Sequence, residues 1–503
     1  MEQKQVISII IFVSIAAIAP VGYHISGFYM NYCSKCSGKN FARGSHRRIT
    51  SQLRSCFDAN KHEYFVGLYC RMSEHRSTVW MLGFNAIFEL FRCQEYSLLI
   101  ANNTILLIGS IVLFLSYYVQ TTILLIFGRI LIGVYTGLAT GLLPIYVQEL
   151  APTQIKGSLS CFIHIAVLVG AAVAALFSLE TFWGTSSLWH FLLALPGVSV
   201  VFQTIYAKYL PHTPGYYLSK GELTNAADSA RYYYDLQCCE DATAVQTYRS
   251  LVAKMPEQRS FKEAIRNKHA RKGIALGMLV SATQILSGTM AIAYYSNSMF
   301  ESISIVSSLT NLFPFLGAIF SILLSLPALK LVESCGRRPL LIQTLIMCAL
   351  ANFLLFIFSI SIQYFDLKNT KFGLFSSTAV TLSFLLLGVG YNLGVGPVAY
   401  FVCVELVDVH FVSVAMSCTI AVNWITNMIT TLVYYPFNQA VGGYSYLMFA
   451  IPTTLCVLIL QKYLPETKFV RKLETSQVQL ACNAQHADDA VEQQRTYRTF
   501  SSA

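Results

Sequence analysis

Amides and imidazoles placed inside long apolar runs are the residues of this chain that could do chemistry. Gln284, Asn392, Asn423, Asn427 and His164 all fall in stretches otherwise built from Leu, Ile, Val, Phe and Ala. A carboxamide left without a partner in hydrocarbon costs several kcal/mol, so each must bond another helix or a bound solute. A carboxamide both donates and accepts, which suits a solute whose groups do the same. Trp424 and Tyr400 could offer an aromatic face beside them. The same residue types also make ordinary helix–helix hydrogen bonds.

The runs that carry these residues decide the class. Of 503 residues 55% are hydrophobic and 12% charged, about half the charge of a soluble domain. Apolar blocks of about 20 residues recur along most of the chain, each long enough for a bilayer core of ~30 Å. Spans are expected at Val6–Met30, a weak Thr78–Phe91, Ser97–Val119, Thr122–Val147, Gly157–Leu179 and Leu188–Leu210. A charged segment from Pro211 to Lys272 separates these from Gly273–Phe300, Ser308–Val332, Leu340–Tyr364, Leu374–Val404, Phe411–Tyr435 and Tyr444–Leu464. The expected organisation is a six-helix unit over 1–210, surface helices over 211–272, a second six-helix unit over 273–464, and a disordered tail over 465–503. Six spans, a polar joint and six more spans is a two-lobed carrier layout.

Charge fixes the orientation. Lys254, Arg259, Lys262, Arg266, Lys268, Arg271 and Lys272 place the central segment, and with it both termini, in the cytoplasm. The net charge of +10 lies mostly in such joints, with no basic stripe interleaved with aromatics, so no nucleic-acid partner is expected. Val6–Met30 is too long for a signal-peptide core and reads as the first span. The basic stretch 33–77 is atypical for an outer loop. Its Cys33 and Cys36, with Cys56 and Cys70, read as extracellular disulfides or unpaired thiols rather than a zinc site. Cys161, Cys348, Cys403, Cys418 and Cys456 lie in apolar blocks and read as small hydrophobes.

An ordered set of short motifs runs through the chain. Gly128-Arg129 opens a block that continues through Gly133, Gly137 and Pro144 to Gln148-Glu149, followed by Pro152-Thr153 and Lys156-Gly157. Gln284-Ile285-Leu286-Ser287-Gly288 precedes Tyr294-Tyr295-Ser296 and Phe300-Glu301. Glu333-Ser334-Cys335-Gly336-Arg337-Arg338, Gly394-Val395-Gly396-Pro397, Glu405-Leu406, Asn423-Trp424 and Pro465-Glu466-Thr467-Lys468 complete it. In order and spacing this set resembles the facilitative hexose transporters of the sugar porter family, within the major facilitator superfamily.

The resemblance implies an all-α membrane protein of about 12 transmembrane helices in two six-helix lobes, with no cofactor, metal or catalytic residue. It implies sugar contact by Gln284, Asn423 and Trp424, with His164, Asn392 and Tyr400 as neighbours. It also implies a conformational latch built from Arg129, Glu149, Glu333, Arg337, Arg338 and Glu405. In physical terms these charges sit at helix ends, where they can pair in one state and part in the other; the plainer reading is interfacial charge that fixes topology.

Departures from the family pattern matter as much. A helix-five glutamine is His164, a second glutamine is Ile285, and an asparagine is Met290. A helix-eight asparagine is Ser321, a helix-ten glutamate is Asn392, and a helix-ten tryptophan is Tyr400. The charged joint after helix two reads Phe91-Arg92-Cys93-Gln94-Glu95, and the one after helix six reads Pro211-His212-Thr213-Pro214-Gly215. Where proton-coupled relatives place an acid on helix one, the chain has His24, and Val6–Met30 contains no Asp or Glu.

Facilitated diffusion of a hexose or small polyol across the plasma membrane is therefore the expected function. Two alternatives stand beside it: a same-fold carrier of a non-sugar solute such as urate, and a transport-inactive sensor or scaffold.

Overall fold

The computed structural model describes residues 95–467, apart from stretches within 235–259, 290–311 and 366–370 and a few single positions. The expected spans Val6–Met30 and Thr78–Phe91, the cysteine-rich stretch 33–77, His24 and the residues after Thr467 lie outside the described residues.

Every regular element among the described residues is helical. In the first half these are α1 (Glu95–Val119), α2 (Thr122–Leu150), α3 (Lys156–Phe177), α4 (Trp189–Ala194) and α5 (Pro196–Ala207). Short helices α6 (Pro214–Ser219), α7 (Leu223–Tyr234) and α8 (Phe261–Arg266) follow in the polar segment. The second half holds α9 (Lys268–Leu286), α10 (Phe313–Cys335), α11 (Arg337–Phe365), α12 (Lys371–Gly390), α13 (Gly396–Ala399), α14 (Val402–Leu406), α15 (Val412–Val441) and α16 (Leu447–Tyr463). Eight candidate spans among the described residues are long and apolar enough to cross a bilayer.

Two expected spans are subdivided. Leu188–Leu210 becomes α4 and α5, parted just before Pro196, whose ring suits a first helical turn and no interior one. Leu374–Val404 becomes α12, a π-helical turn over Tyr391–Val395, then α13 and α14, with a break at Tyr400–Phe401. The π turn closes with the Gly396 amide donating to the Tyr391 carbonyl, five residues back. Such turns concentrate at functional sites, and non-helical backbone at membrane depth persists only where protein or a polar cavity satisfies it.

The outer surface carries Ile108, Ile111, Leu115, Ile123, Leu323, Leu382 and Leu458, all exposed, while the amides point inward. That is the distribution a lipid solvent demands. Lipid tails are as apolar as leucine, so association rests on close packing and buried polar bonds. α1 crosses α2 where Gly128 faces Leu113; a Cβ there would come within 2.8 Å of that side chain. In the second half α9 packs on α15, and α11 on α12 and α16. The halves meet where α10 lies along α3, α13 touches α3, and α15 reaches α2.

Candidate functional site

Gln284 lies in the last turn of α9 and is only 3% exposed. Its Nε2 donates to the Gly396 carbonyl at 3.2 Å, at the exit of the π turn, and its Oε1 accepts from Asn423 Nδ2 at 2.9 Å. Asn423 Nδ2 also donates to the Ser281 carbonyl at 3.2 Å, tying α15 to α9. Tyr400, at the break after α13, lies close to the Gln284 side chain. Trp424 follows Asn423 on α15 and is buried.

The other half contributes His164. Asn392 Nδ2 donates to the Gly388 carbonyl at 2.8 Å, which turns its Oδ1 toward His164. His164 Nε2 therefore donates to that oxygen, at 3.3 Å, and the ring's Nδ1 is left as an acceptor. Tyr391 meets the imidazole edge-on with centroids 5.6 Å apart, and Tyr400 lies 6.2 Å away. The ring fits because residue 396 is glycine: a Cβ there would come within 2.6 Å of His164 Cε1.

Gln284, Asn423, Tyr400, His164 and Asn392, five of the six residues singled out for solute contact, thus form one neighbourhood, and Trp424 adjoins it on α15. Asn423 is eleven residues into α15 and His164 eight into α3, about 16 and 12 Å along their axes at 1.5 Å per residue. Both depths fall near the middle of a ~30 Å core. The group is neutral, and its polar atoms are paired with one another and with the Ser281, Gly388 and Gly396 carbonyls. Asn427 is separate: its carbonyl and Oδ1 accept from Thr431 one turn further along α15. Ser321 is part-exposed on α10, with its carbonyl accepting from Ser325.

A second cluster sits at the joint between α10 and α11. Arg337 Nε donates to Glu405 Oε2 at 3.2 Å, Nη1 to Glu333 Oε2 at 3.2 Å, and Nη1 also to the Val332 carbonyl at 3.2 Å. Glu466 caps α11, its two oxygens accepting from the Arg337 and Arg338 amides at 3.1 Å each. A carboxylate there meets the positive end of the helix dipole. Gly336, at φ 95°, makes the turn that brings these amides to it. Arg338 Nη2 bonds the Gln461 carbonyl at 2.6 Å, and Thr467 Oγ1 donates to Glu405 Oε2 at 2.6 Å.

One link from this cluster to the first half is a backbone group. The Ser158 amide, in the first turn of α3, donates to Glu333 Oε1 at 3.2 Å, and its hydroxyl donates to the Leu329 carbonyl at 2.8 Å. Gly157 makes room for this contact: a Cβ there would collide with Glu333 Oε1 and lie 2.6 Å from Arg337 Nη2. Gly157→Ala is expected to loosen α3 from α10 and expose Cys161, one turn further on and fully buried. Maleimide labelling of Cys161, read by peptide mass spectrometry, should rise about five-fold, the equivalent of about 1 kcal/mol. Unchanged labelling would show that this contact does not hold the halves together.

Of the six charges expected to form one latch, Glu333, Arg337, Arg338 and Glu405 come together. Glu149 is placed elsewhere, at the end of α2. It accepts from Thr213 Oγ1 at 2.7 Å and faces Gly215, whose lack of a Cβ gives the carboxylate its place. Thr213 also caps α6, accepting from the Tyr216 amide at 3.3 Å, and Tyr234 of α7 donates to the Leu150 carbonyl at 2.8 Å. The departure Pro211–Gly215 therefore docks the polar segment on α2 through a hydroxyl. Arg129 is buried near the opposite end of α2, about 30 Å from Glu149 along a continuous helix. Ser158 and Thr213 are members of these clusters that side-chain charge does not mark, while Glu466 and Thr467 belong to the Pro465–Lys468 motif but not to the expected latch.

Comparison with known proteins follows the same lines. The family described as "Sugar (and other) transporter" matches residues 93–478. The mouse (Mus musculus) solute carrier family 2, facilitated glucose transporter member 4, is 28% identical over 70% of this chain and 68% of its own length. Among solved structures, the proton:xylose symporter XylE bound to 6-bromo-6-deoxy-D-glucose superposes with a TM-score of 0.69 at 17% identity, covering 93% of this chain and 97% of that one. The human organic anion transporter MFSD10 superposes with a TM-score of 0.58 at 12% identity, covering 92% and 100%. The fold is the major facilitator fold, and fold alone does not select a cargo.

Proposed function

Since the chain belongs to the family of sugar (and other) transporters, we propose that it is a facilitative carrier of a hexose or similar small polyol, working by alternating access. The observation that carries this reading is the neutral amide network Asn423–Gln284–Gly396, with Tyr400 close to both it and the His164–Asn392 bond between the halves. A hydroxyl donates and accepts like a carboxamide, so a polyol can replace these internal bonds without stranding a polar atom. The faces of Trp424 and Tyr400 suit the apolar side of a sugar ring. Cargo that takes the place of Asn392 at His164 would free α3 from the π turn, coupling occupancy to parting of the halves.

An organic anion such as urate fits less well. The network holds no Lys or Arg, and a bare charge at membrane depth is costly without a partner. The same chemistry favours uniport: Val6–Met30 has no carboxylate, and Asn392 stands where a titrating acid could. The basic residues from Lys254 to Lys272 support a cytoplasmic central segment, with both termini on that side.

Uptake of labelled D-glucose and D-fructose into proteoliposomes bearing the purified carrier tests this. Saturable flux that dissipates the gradient is expected, with Asn423→Ala raising KM about ten-fold by removing a donor from the network. Flux of urate alone would move the cargo to an anion, and no flux of any solute through correctly inserted protein would leave a sensor. Accumulation of sugar against its gradient under an imposed pH gradient would overturn uniport.

A further inference from the structure

The end of α9, immediately after Gln284, poses an accounting problem. The last four carbonyls of a helix have no partner within it, and at this depth no bulk solvent supplies one. Here each carbonyl has a donor. Thr283 O accepts from the Ser287 amide at 2.9 Å and Ile285 O from the Gly288 amide at 3.0 Å. Gln284 O accepts from Ser287 Oγ at 2.7 Å. Leu286 O accepts from Thr453 Oγ1 of α16 at 3.0 Å, and Ser287 O from Asn352 Nδ2 of α11 at 2.8 Å.

Asn352, Thr453 and Ser287 are all completely buried. Asn352 Nδ2 spends its second hydrogen on the Cys348 carbonyl at 3.0 Å, and its Oδ1 has no partner among the described residues. An orphaned buried acceptor costs about 1–3 kcal/mol, which a leucine among neighbours such as Leu355 and Ala351 would avoid. What the asparagine provides is the bond to Ser287. Phe449, one turn before Thr453, lies under Gly288, where a Cβ would meet its ring at 2.7 Å; Gly288 has φ 84°. Two helices outside the amide network thus clamp the turn that ends α9.

We propose that Asn352 and Thr453 are positioning residues for Gln284, holding the end of α9 so that the Gln284 amide stays in register with Asn423 and Gly396. The transport arm of the test rests on the proposed cargo; the exchange arm does not. The probes are labelled D-glucose and D-fructose in proteoliposomes, with Asn352→Leu and Thr453→Val as near-isosteric losses and Thr453→Ser as the conservative variant. Both losses should raise KM about five-fold, the equivalent of one hydrogen bond, with Vmax per folded carrier little changed and Thr453→Ser like the parent. In parallel, amide hydrogen exchange of Gln284–Gly288 should accelerate about ten-fold in Asn352→Leu, with Leu340–Leu345 unchanged.

If the parent carries neither sugar, the hexose reading fails and exchange alone decides this one. Acceleration confined to the end of α9 supports the clamp, and unchanged exchange overturns it. Losses that lower only folded yield or Vmax at constant KM, or a Thr453→Ser as damaged as Thr453→Val, overturn it as well.

Discussion

Replacing Arg337 with alanine should destabilise the folded carrier more than any other single change at the helix ends. The Arg337 side chain is 7% exposed and that of Glu405 only 2%, so removing the guanidinium takes a close cation from a buried carboxylate. Breaking such a pair from one side costs about 3–5 kcal/mol. The Thr467 hydroxyl would remain on Glu405 and Ser158 on Glu333, but neither brings a charge. Glu405→Gln should cost less, about 1–2 kcal/mol, since Arg337 keeps Glu333 and the amide oxygen still accepts. Arg337→Met combined with Glu405→Leu removes both charges and should recover part of the loss. Thermal melting of purified protein in detergent should rank the variants parent, Glu405→Gln, double, Arg337→Ala, with little dependence on salt because the pair is shielded from solvent. Arg337→Ala melting with Glu405→Gln would show the pair to be solvated.

What could be read from the chain was what side chains announce. The described spans follow apolar blocks, and Gln284, Asn423 and His164 stand out because hydrocarbon makes an amide or imidazole conspicuous. Backbone chemistry left no such mark. One amide that joins the halves belongs to Ser158, and nothing about a serine at a helix start identifies its N–H as the partner of Glu333, 175 residues away. The π turn at Tyr391–Val395 lies inside one apolar block, where only Gly394, Gly396 and Pro397 hinted at a break. Glu466 and Thr467 could be recognised as a motif, but their return to Arg337 and Glu405 is tertiary. The resemblance groups Arg129 with Glu149 at the two ends of one motif, and the twenty residues of continuous helix between them keep the pair about 30 Å apart.

Gln284→Leu should abolish the transport that the parent shows while leaving the protein folded. Leucine approximates the side chain's volume, and Asn423 would keep its bond to the Ser281 carbonyl, so α9 and α15 stay joined. The network, however, loses the acceptor for Asn423 Nδ2 and the donor to Gly396 O. Two bonds of about 1–1.5 kcal/mol each correspond to about 30- to 150-fold in sugar affinity if cargo replaces them one for one. Gln284→Glu discriminates further. An ionised carboxylate can accept from Asn423 but cannot donate to Gly396 O, and it carries a charge where none is compensated. Its protonated form restores one donor and one acceptor. Uptake by Gln284→Glu should therefore rise as pH falls, while the parent's uptake stays flat over the same range. Hexose uptake by Gln284→Leu with the parent's KM would remove Gln284 from the cargo path, and a pH-independent Gln284→Glu carrier would place it in water.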